Sequence, residues 1–158
     1  MSTDRDGTDV EGFVGQTFEG SEFTVERWMA YLWADATENP DDGFRYPDDD
    51  GVQYVPPTFG QVVARQAAGI DDIEARLRGG DWADPNVFLG GQRFSFDRPL
   101  RVGETYRASA EITDLEEKSG SSGDFHVLTV AYTVETADGT PAYEMETDLV
   151  VQRPEADG

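Results

Sequence analysis

The chain contains no cysteine, one histidine (His126) and one lysine (Lys118). Without cysteine there is no disulfide framework, no thiolate nucleophile and no cysteine-based zinc site. A lone histidine excludes a histidine metal cluster. Long hydrophobic runs are missing too. None approaches the ~20 residues of a transmembrane helix, and Met1-Ser2-Thr3-Asp4 lacks the basic, apolar pattern of a secretory signal. A soluble, cytoplasmic protein is expected. Walker loops and the G-x-S-x-G elbow are absent. Asp48-Asp49-Asp50-Gly51 has the acidity of a calcium loop but neither the EF-hand spacing nor its terminal bidentate glutamate, so it reads as a solvated loop. No metal and no other cofactor is expected.

Positive charge is scarce. Twelve basic residues, eleven of them arginine, face 33 acidic ones, for a net charge of −21. Such a chain cannot replace the counter-ions on nucleic-acid phosphates, and an anionic membrane surface repels it. Acid excess with almost no lysine points to a protein that works in molar salt, where repulsion is screened over a short Debye length.

What is present suffices for one domain. At 158 residues the chain can bury ~70% of its unfolded surface. Hydrophobic residues make up only 37%, but Trp28, Trp33 and Trp82 supply large contact areas. Residues 1–12 read as an acidic tail, 13–153 as the domain and 154–158 as a flexible C-terminus. Thr24 is a candidate N-cap for a helix from Val25 to Ala36, whose apolar stripe is Val25, Trp28, Met29, Leu32 and Trp33. After an Asp-, Gly- and Pro-rich loop, Pro56-Pro57-Thr58 predicts a second helix start, running towards Gly69. A shorter helix covers Asp71 to Arg78 and stops at Gly79-Gly80.

The C-terminal half alternates like strands. Asp138-Gly139 predicts a two-residue hairpin turn. That register pairs Val134 with Tyr143, Tyr132 with Met145, Val130 with Thr147 and Leu128 with Leu149 on an apolar face. Glu135–Ala142, Thr133–Glu144, Ala131–Glu146 and Thr129–Asp148 fall on the polar one. A one-residue slip would mix the two faces, which nearly fixes the register. Tyr106, Ala108, Ala110 and Ile112 mark a further strand, Phe94 and Phe96 another ending near Pro99, and Ser119–Gly123 a flexible connection. The fold class is therefore α+β, an antiparallel sheet with one face on a helix.

Gly90-Gly91-Gln92-Arg93-Phe94-Ser95-Phe96-Asp97-Arg98-Pro99-Leu100-Arg101, continued by Val102-Gly103-Glu104, is the most specific stretch. With Tyr54-Val55-Pro56-Pro57-Thr58-Phe59, it resembles the N-terminal, FAS1-like branch of the MaoC-like dehydratases. The resemblance spans Val14 to Arg153. It implies a hot-dog fold, with Pro57 to Ala68 as the helix that the sheet curls around. It also implies acyl-CoA or acyl-carrier thioesters as ligands and pairing of hot-dog units through their sheets, in a homodimer or with a MaoC-like partner subunit.

Hydrating an enoyl thioester needs a base for water, an acid for the α-carbon and donors for the thioester oxygen. Catalytic members of the group carry a G-D-x-N-P-x-H loop. Here the matching segment is Ala36-Thr37-Glu38-Asn39-Pro40-Asp41-Asp42. Asn39-Pro40 is kept, with Thr37 at the aspartate position and Asp42 at the histidine position. Threonine is no base near neutrality, and aspartate is no substitute for histidine as a proton donor there. The loop is a degenerate site; a purely structural turn is the competing reading. His126, by the hairpin register, sits opposite Val151 and reads as a packed strand residue.

Tyr54, Pro57, Thr58, Phe59 and Gly60 are expected at a substrate site, with the backbone N–H groups of Thr58, Phe59 and Gly60 as donors. Gly90, Gly91 and Gln92 either let an acyl chain lie against the backbone or form a bulge. Arg93, Arg98 and Arg101 could meet coenzyme A phosphates or, in the reading put first, neutralise neighbours such as Asp97 and Glu104. The expected function is an acyl-thioester-binding subunit of an (R)-specific enoyl-CoA hydratase or 3-hydroxyacyl dehydratase, with the Asp/His dyad on a partner chain. A non-enzymatic acyl-CoA-binding module is the alternative. A hot-dog thioesterase is further off, because Phe59 to Gly69 holds no carboxylate. The charge itself yields a test. The thermal midpoint should rise strongly between low and molar KCl, whereas a flat response would rule out adaptation to salt.

Overall fold

A computed structural model describes residues 12–78, 85–121 and 123–152. Among these, five strands form one antiparallel sheet: β1 (Thr17–Thr24), β2 (Asn86–Phe96), β3 (Thr105–Gly120), β4 (Gly123–Thr136) and β5 (Pro141–Gln152). Their spatial order is β1-β3-β4-β5-β2. The helices α1 (Arg27–Ala36), α2 (Gly60–Ala64) and α3 (Ile70–Arg78) lie between β1 and β2 in sequence. The expected tail at 1–11, the Gly79-Gly80 stop, Trp82 and the C-terminal residues from Arg153 fall outside the described residues.

The hairpin register follows the hydrophobic pattern. Val134 pairs with Tyr143, Tyr132 with Met145, Val130 with Thr147 and Leu128 with Leu149. Tyr106, Ala108, Ala110 and Ile112 of β3 share that buried face. The turn differs from the expected two-residue form. The Thr136 N–H reaches the Thr140 carbonyl (2.9 Å), closing a longer loop that moves Glu135 opposite Pro141 instead of Ala142. Asp138 organises this loop by accepting from the Thr136 hydroxyl and from the Thr140 hydroxyl (2.9 Å) and N–H (3.2 Å). The Thr136 bond foremost, then those to Thr140, hold its carboxyl below the usual range. The expected flexible connection is instead the end of a long hairpin, with Ser119 paired to Asp124 and Gly120 to Gly123.

Two elements depart further from the sequence reading. β1 precedes the helices and had no predicted counterpart, because a register shift between Glu19 and Glu22 breaks its alternation. In α1, Thr24 is not the N-cap: it ends β1 and shares a hydroxyl bond with Thr105 (2.7 Å), and the helix starts at Arg27. The buried face of α1 also differs. Ala30 and Ala34 are fully buried, Met29 and Trp33 partly, and Trp28 and Leu32 are more than half exposed. Short side chains let this helix approach the rest of the chain closely, which the larger residues of the predicted stripe would prevent.

The central helix is shorter than expected. A 3₁₀ turn, Pro57–Phe59, leads into α2, which ends at Ala64. Beyond it the N–H groups of Gln66 and Ala67 turn to the carbonyls three residues back, Val63 and Ala64, so the chain tightens. Two tyrosines on the sheet hold this segment at both ends. The Tyr143 hydroxyl donates to the Gly60 carbonyl (2.7 Å), and the Tyr132 hydroxyl donates to the Ala68 carbonyl (2.8 Å). Burial pushes the Tyr132 phenol up to about 12 and Tyr143 higher still, so both remain donors at physiological pH. Gly60 permits the contact, since a Cβ there would stand 3.1 Å from the Tyr143 ring. Tyr132→Phe removes the hydroxyl bonded to the Ala68 carbonyl, an expected loss of about 1–3 kcal/mol, whereas Tyr143→Phe removes one bond to a carbonyl that also belongs to the α2 ladder, an expected loss of about 0.5–1.5 kcal/mol. Thermal melts should record a fall of roughly 3–8 °C for Tyr132→Phe; an unchanged midpoint would show that the bond carries no net stability.

Candidate functional site

One apolar cleft of about 560 Å³ opens where the helix lead-in meets the end of β2. Tyr54, Val55 and Pro57 form one wall, and Phe96 through Leu100 form another. Asp41, Gly43 and Phe44, from the loop that follows α1, close the third side. The walls are tied by backbone bonds: the Val55 N–H reaches the Leu100 carbonyl (2.9 Å), and the Tyr54 N–H reaches Gly43 (3.3 Å). Phe96 stacks on Phe94 with ring centres 5.6 Å apart and tilts against Tyr143 at 4.9 Å, giving the β2 wall a rigid aromatic face.

Trp33 connects α1 to this site. Its indole N–H donates to the Thr58 hydroxyl (2.9 Å), and its ring meets Phe59 edge-on at 5.4 Å. Thr58 and Phe59 thus act as packing and anchoring residues. Phe59 is buried, and its N–H closes on Pro56 (2.9 Å), while the Gly60 N–H turns to Pro57 and Thr58. Two of the three backbone donors expected for a ligand are therefore committed within the turn.

The loop from Thr37 to Asp42 is held by its own polar groups. The Thr37 hydroxyl donates to the Trp33 carbonyl (2.7 Å), at the C-terminus of α1. Glu38 takes a left-handed conformation (φ 54°), and the Asn39 N–H reaches back to Ala34 (2.8 Å), which ends the helix. Asn39 Oδ1 accepts from Asp41 N–H (3.0 Å), and Asp41 Oδ1 accepts from Gly43 N–H (2.8 Å). Arg45 donates to the Asn39 carbonyl and pairs with Asp35 (3.3 Å). Asp42 is exposed, opens the short 3₁₀ turn Asp42–Phe44 and is not among the cleft residues. The loop keeps a defined shape, yet Thr37 points its hydroxyl at a helix end.

The other predicted site residues lie apart. Gly90, Gly91 and Gln92 do not line the cleft; Gln92 is four residues from Phe96 along β2, about 13 Å away. They form a bulge, with the register shifting between Leu89 and Gly91. A Cβ at Gly90 would lie 3.1 Å from the Asp148 carbonyl and 3.2 Å from Val150, whereas one at Gly91 meets nothing within 4 Å. Gln92 faces Thr147 across the ladder, and Gln92 Nε2 and Thr147 Oγ1 are both buried without a partner. His126 pairs with Glu117 and Val151. Val151 is eight residues along β5 from Tyr143, the partner of Phe96, so His126 lies about 27 Å of strand away from the cleft end of β5.

The three arginines divide. Arg93 is committed to Glu146 (2.9 Å) and Asp148 (3.1 Å). Burial opposes ionisation of Asp148, but Arg93 and the Thr129 hydroxyl together hold its carboxyl below the usual range. Arg98 lines the cleft, and Arg101 lies over the Tyr54 ring at 5.7 Å. Neither makes an ion pair among the described residues, so neutralisation of Asp97 or Glu104 by direct contact is not seen. Sequence reasoning did not place Phe44, Pro99 and Leu100 at the site. The only signal for them was that Pro99-Leu100 lies in the most specific part of the resemblance.

Comparison with known proteins now bears on this arrangement. The family model for the FAS1-like dehydratase domain region matches residues 12–145. The chain belongs to that family. The UPF0336 protein of Thermobifida fusca (strain YX) is 30% identical over 148 residues, which covers 89% of this chain and 91% of that protein. Mesaconyl-C(4)-CoA hydratase of Chloroflexus aurantiacus is 33% identical over 72 residues, 46% of this chain but only 25% of the hydratase. Among solved structures, the C-terminally truncated HadBC (3R-hydroxyacyl-ACP dehydratase) complex of Mycobacterium tuberculosis superimposes with a TM-score of 0.71. It shares 19% identity and covers 87% of this chain and 96% of that one. That likeness gives this FAS1-like dehydratase region the α+β hot-dog fold, with α2 and its 3₁₀ lead-in as the enclosed helix. Among the described residues no group of side chains could hold a metal ion, and no helix is long and apolar enough to cross a membrane.

The bulge makes a prediction of its own. Gly90→Val should destabilise by about 1–3 kcal/mol through contact with the β5 backbone. Gly91→Ala should be accepted within about 0.5 kcal/mol. Denaturant melts that rank the two in reverse order would show that the bulge does not need Gly90.

Proposed function

We propose that this chain is the acyl-thioester-binding subunit of an (R)-specific enoyl hydratase or 3-hydroxyacyl dehydratase, whose Asp/His dyad resides on a partner hot-dog chain. The observation that carries this reading is the loop beside the cleft. It keeps a defined shape through Asn39, Asp41 and Arg45, while Thr37 is bonded to the end of α1 and the histidine position holds exposed Asp42. Hydration joins water oxygen to C3 of the enoyl group and a proton to C2. A base and an acid must flank the same double bond. Neither role has a candidate pair here, since the single histidine is remote from the cleft.

What remains suits binding. The cleft is concave and mainly apolar, is bounded by Phe44, Phe96 and Tyr54, and has a volume suited to a small-molecule segment. A route for the partner is also present. β2 is an edge strand, and its Phe88 and Leu89 are about half exposed, a combination that favours pairing with another chain. The names of the HadBC dehydratase complex and of the CoA hydratase are consistent with a thioester substrate and a two-chain assembly.

The test mixes this chain with a MaoC-like partner bearing D-x-N-P-x-H and follows hydration of crotonyl-CoA. Alone, the chain should turn over at least ~10³-fold more slowly than the mixture. Activity of the mixture should vanish when the partner's dyad histidine is replaced, and His126→Ala should leave its rate nearly unchanged. Tight butyryl-CoA binding without turnover in any mixture would favour the binding-module alternative. Robust turnover by the chain alone, lost in His126→Ala, would overturn the proposal.

A further inference from the structure

Beside the cleft lies a second hollow of about 350 Å³, walled by Arg98, Arg101, Asp97, Glu104 and Tyr106. Asp97, Arg98 and Pro99 belong to both, so the two spaces meet around one short segment. The cleft is chiefly apolar, while the hollow carries two guanidinium groups without an ion pair, in a chain where acidic residues outnumber basic ones 33 to 12. Arg107 and Arg93 pair with carboxylates on the sheet, while Arg27, Arg65 and Arg76, like Arg98 and Arg101, make no ion pair among the described residues; what sets Arg98 and Arg101 apart is that both wall one hollow next to the cleft. Arg101 is held in place over the ring of Tyr54, itself a cleft residue.

Tyr106 adds a donor. The side chain is 1% exposed, and its hydroxyl accepts the Arg101 N–H (3.0 Å). Among the described residues the phenol proton has no acceptor, and burial keeps that proton on. The two arginines offset Asp97 and Glu104, so the cleft mouth does not share the chain's net charge of −21 at this point. Resting on the acyl-thioester reading above, the geometry points to a phosphate subsite: Arg98 and Arg101, with the Tyr106 hydroxyl, receive the phosphate end of a pantetheine arm whose acyl end occupies the cleft. Guanidinium groups suit this task because their N–H forks match phosphate oxygens. The phosphate can come from coenzyme A or from the phosphopantetheine of a carrier protein, and the shared chemistry is a phosphate ester on pantetheine.

Binding to the purified full chain should be measured at fixed salt with butyryl-CoA, butyryl-4′-phosphopantetheine and butyryl-pantetheine. In the Arg98→Gln/Arg101→Gln variant, affinity for butyryl-CoA should fall at least about tenfold, and several times more than affinity for butyryl-pantetheine, since Arg98 also borders the cleft. Arg98→Gln alone should show part of that loss, which keeps the test independent of any shift in Tyr54, and Arg98→Lys should recover some of it. An equal loss with the phosphopantetheine thioester places the phosphate next to pantetheine in the hollow. A loss confined to butyryl-CoA overturns the pantetheine-phosphate subsite, since the phosphopantetheine thioester carries that same phosphate. Unchanged butyryl-CoA affinity in the double variant overturns the subsite and leaves the acyl-thioester reading standing, as does equal weakening of all three ligands. Failure of the wild type to bind any of them overturns both.

Discussion

The position of the short central helix is set by two phenols. Tyr143 grips its start at Gly60 and Tyr132 holds the turn after its end at Ala68, from adjacent strands of the sheet. With only five residues in α2, the helix has little stability of its own and must take its place from the sheet. The lead-in Tyr54–Phe59 follows from that placement, and so does the cleft, because Phe96 packs on the same Tyr143 that bonds Gly60. One ring therefore aligns the helix, the β2 wall and the cleft between them. Disturbing Tyr143 moves both walls together.

The sheet was largely legible in the sequence, since alternation over β3, β4 and β5 admits one register. Leu128, Val130, Tyr132 and Val134 can face the core only if Leu149, Thr147, Met145 and Tyr143 do so too. Legibility ended where pattern and packing separate. The stripe of α1 is strongly apolar at Trp28 and Leu32, yet Ala30 and Ala34 carry the contact, because available space rather than hydrophobicity selects the buried face. β1 escaped notice for the opposite reason: a bulge removed the alternation that would have revealed it. At the site, the sequence indicated the loop and the helix lead-in, but it could not show that Gly90 serves the β5 backbone while the cleft is closed by Phe44 and Leu100. Those contacts join residues tens of positions apart, beyond the reach of any local pattern.

The degenerate loop is informative because it is well ordered by its own bonds. It holds the Asn39–Asp41 and Asp41–Gly43 bonds and the Arg45 brace. The structure it serves is a wall of the cleft, through Asp41, Gly43 and Phe44. Catalytic groups can be lost while binding groups are kept only if the two kinds of work can be divided between chains. Hydration permits that division. Positioning a thioester and aiming an acid and base at its double bond act on different parts of the same ligand, and the energy gained in holding the remote part can be used at the reacting carbons wherever the dyad resides.

Charge makes the division more demanding. A net charge of −21 disfavours the approach of an anionic ligand except where nearby cations offset the local field. The two arginines on the described strands, Arg93 and Arg107, pair with cross-strand carboxylates. Arg98 and Arg101 lie past the end of β2, where the Asp97 and Arg98 N–H groups still reach the Ala142 carbonyl of β5; they share their hollow with Asp97 and Glu104 without making an ion pair among the described residues. The backbone event that ends β2 thus does two things at once. It sets the apolar cleft on one side of Pro99 and, on the other, a hollow where two guanidinium groups stand against Asp97 and Glu104, so that surfaces of opposite character adjoin at a single bend.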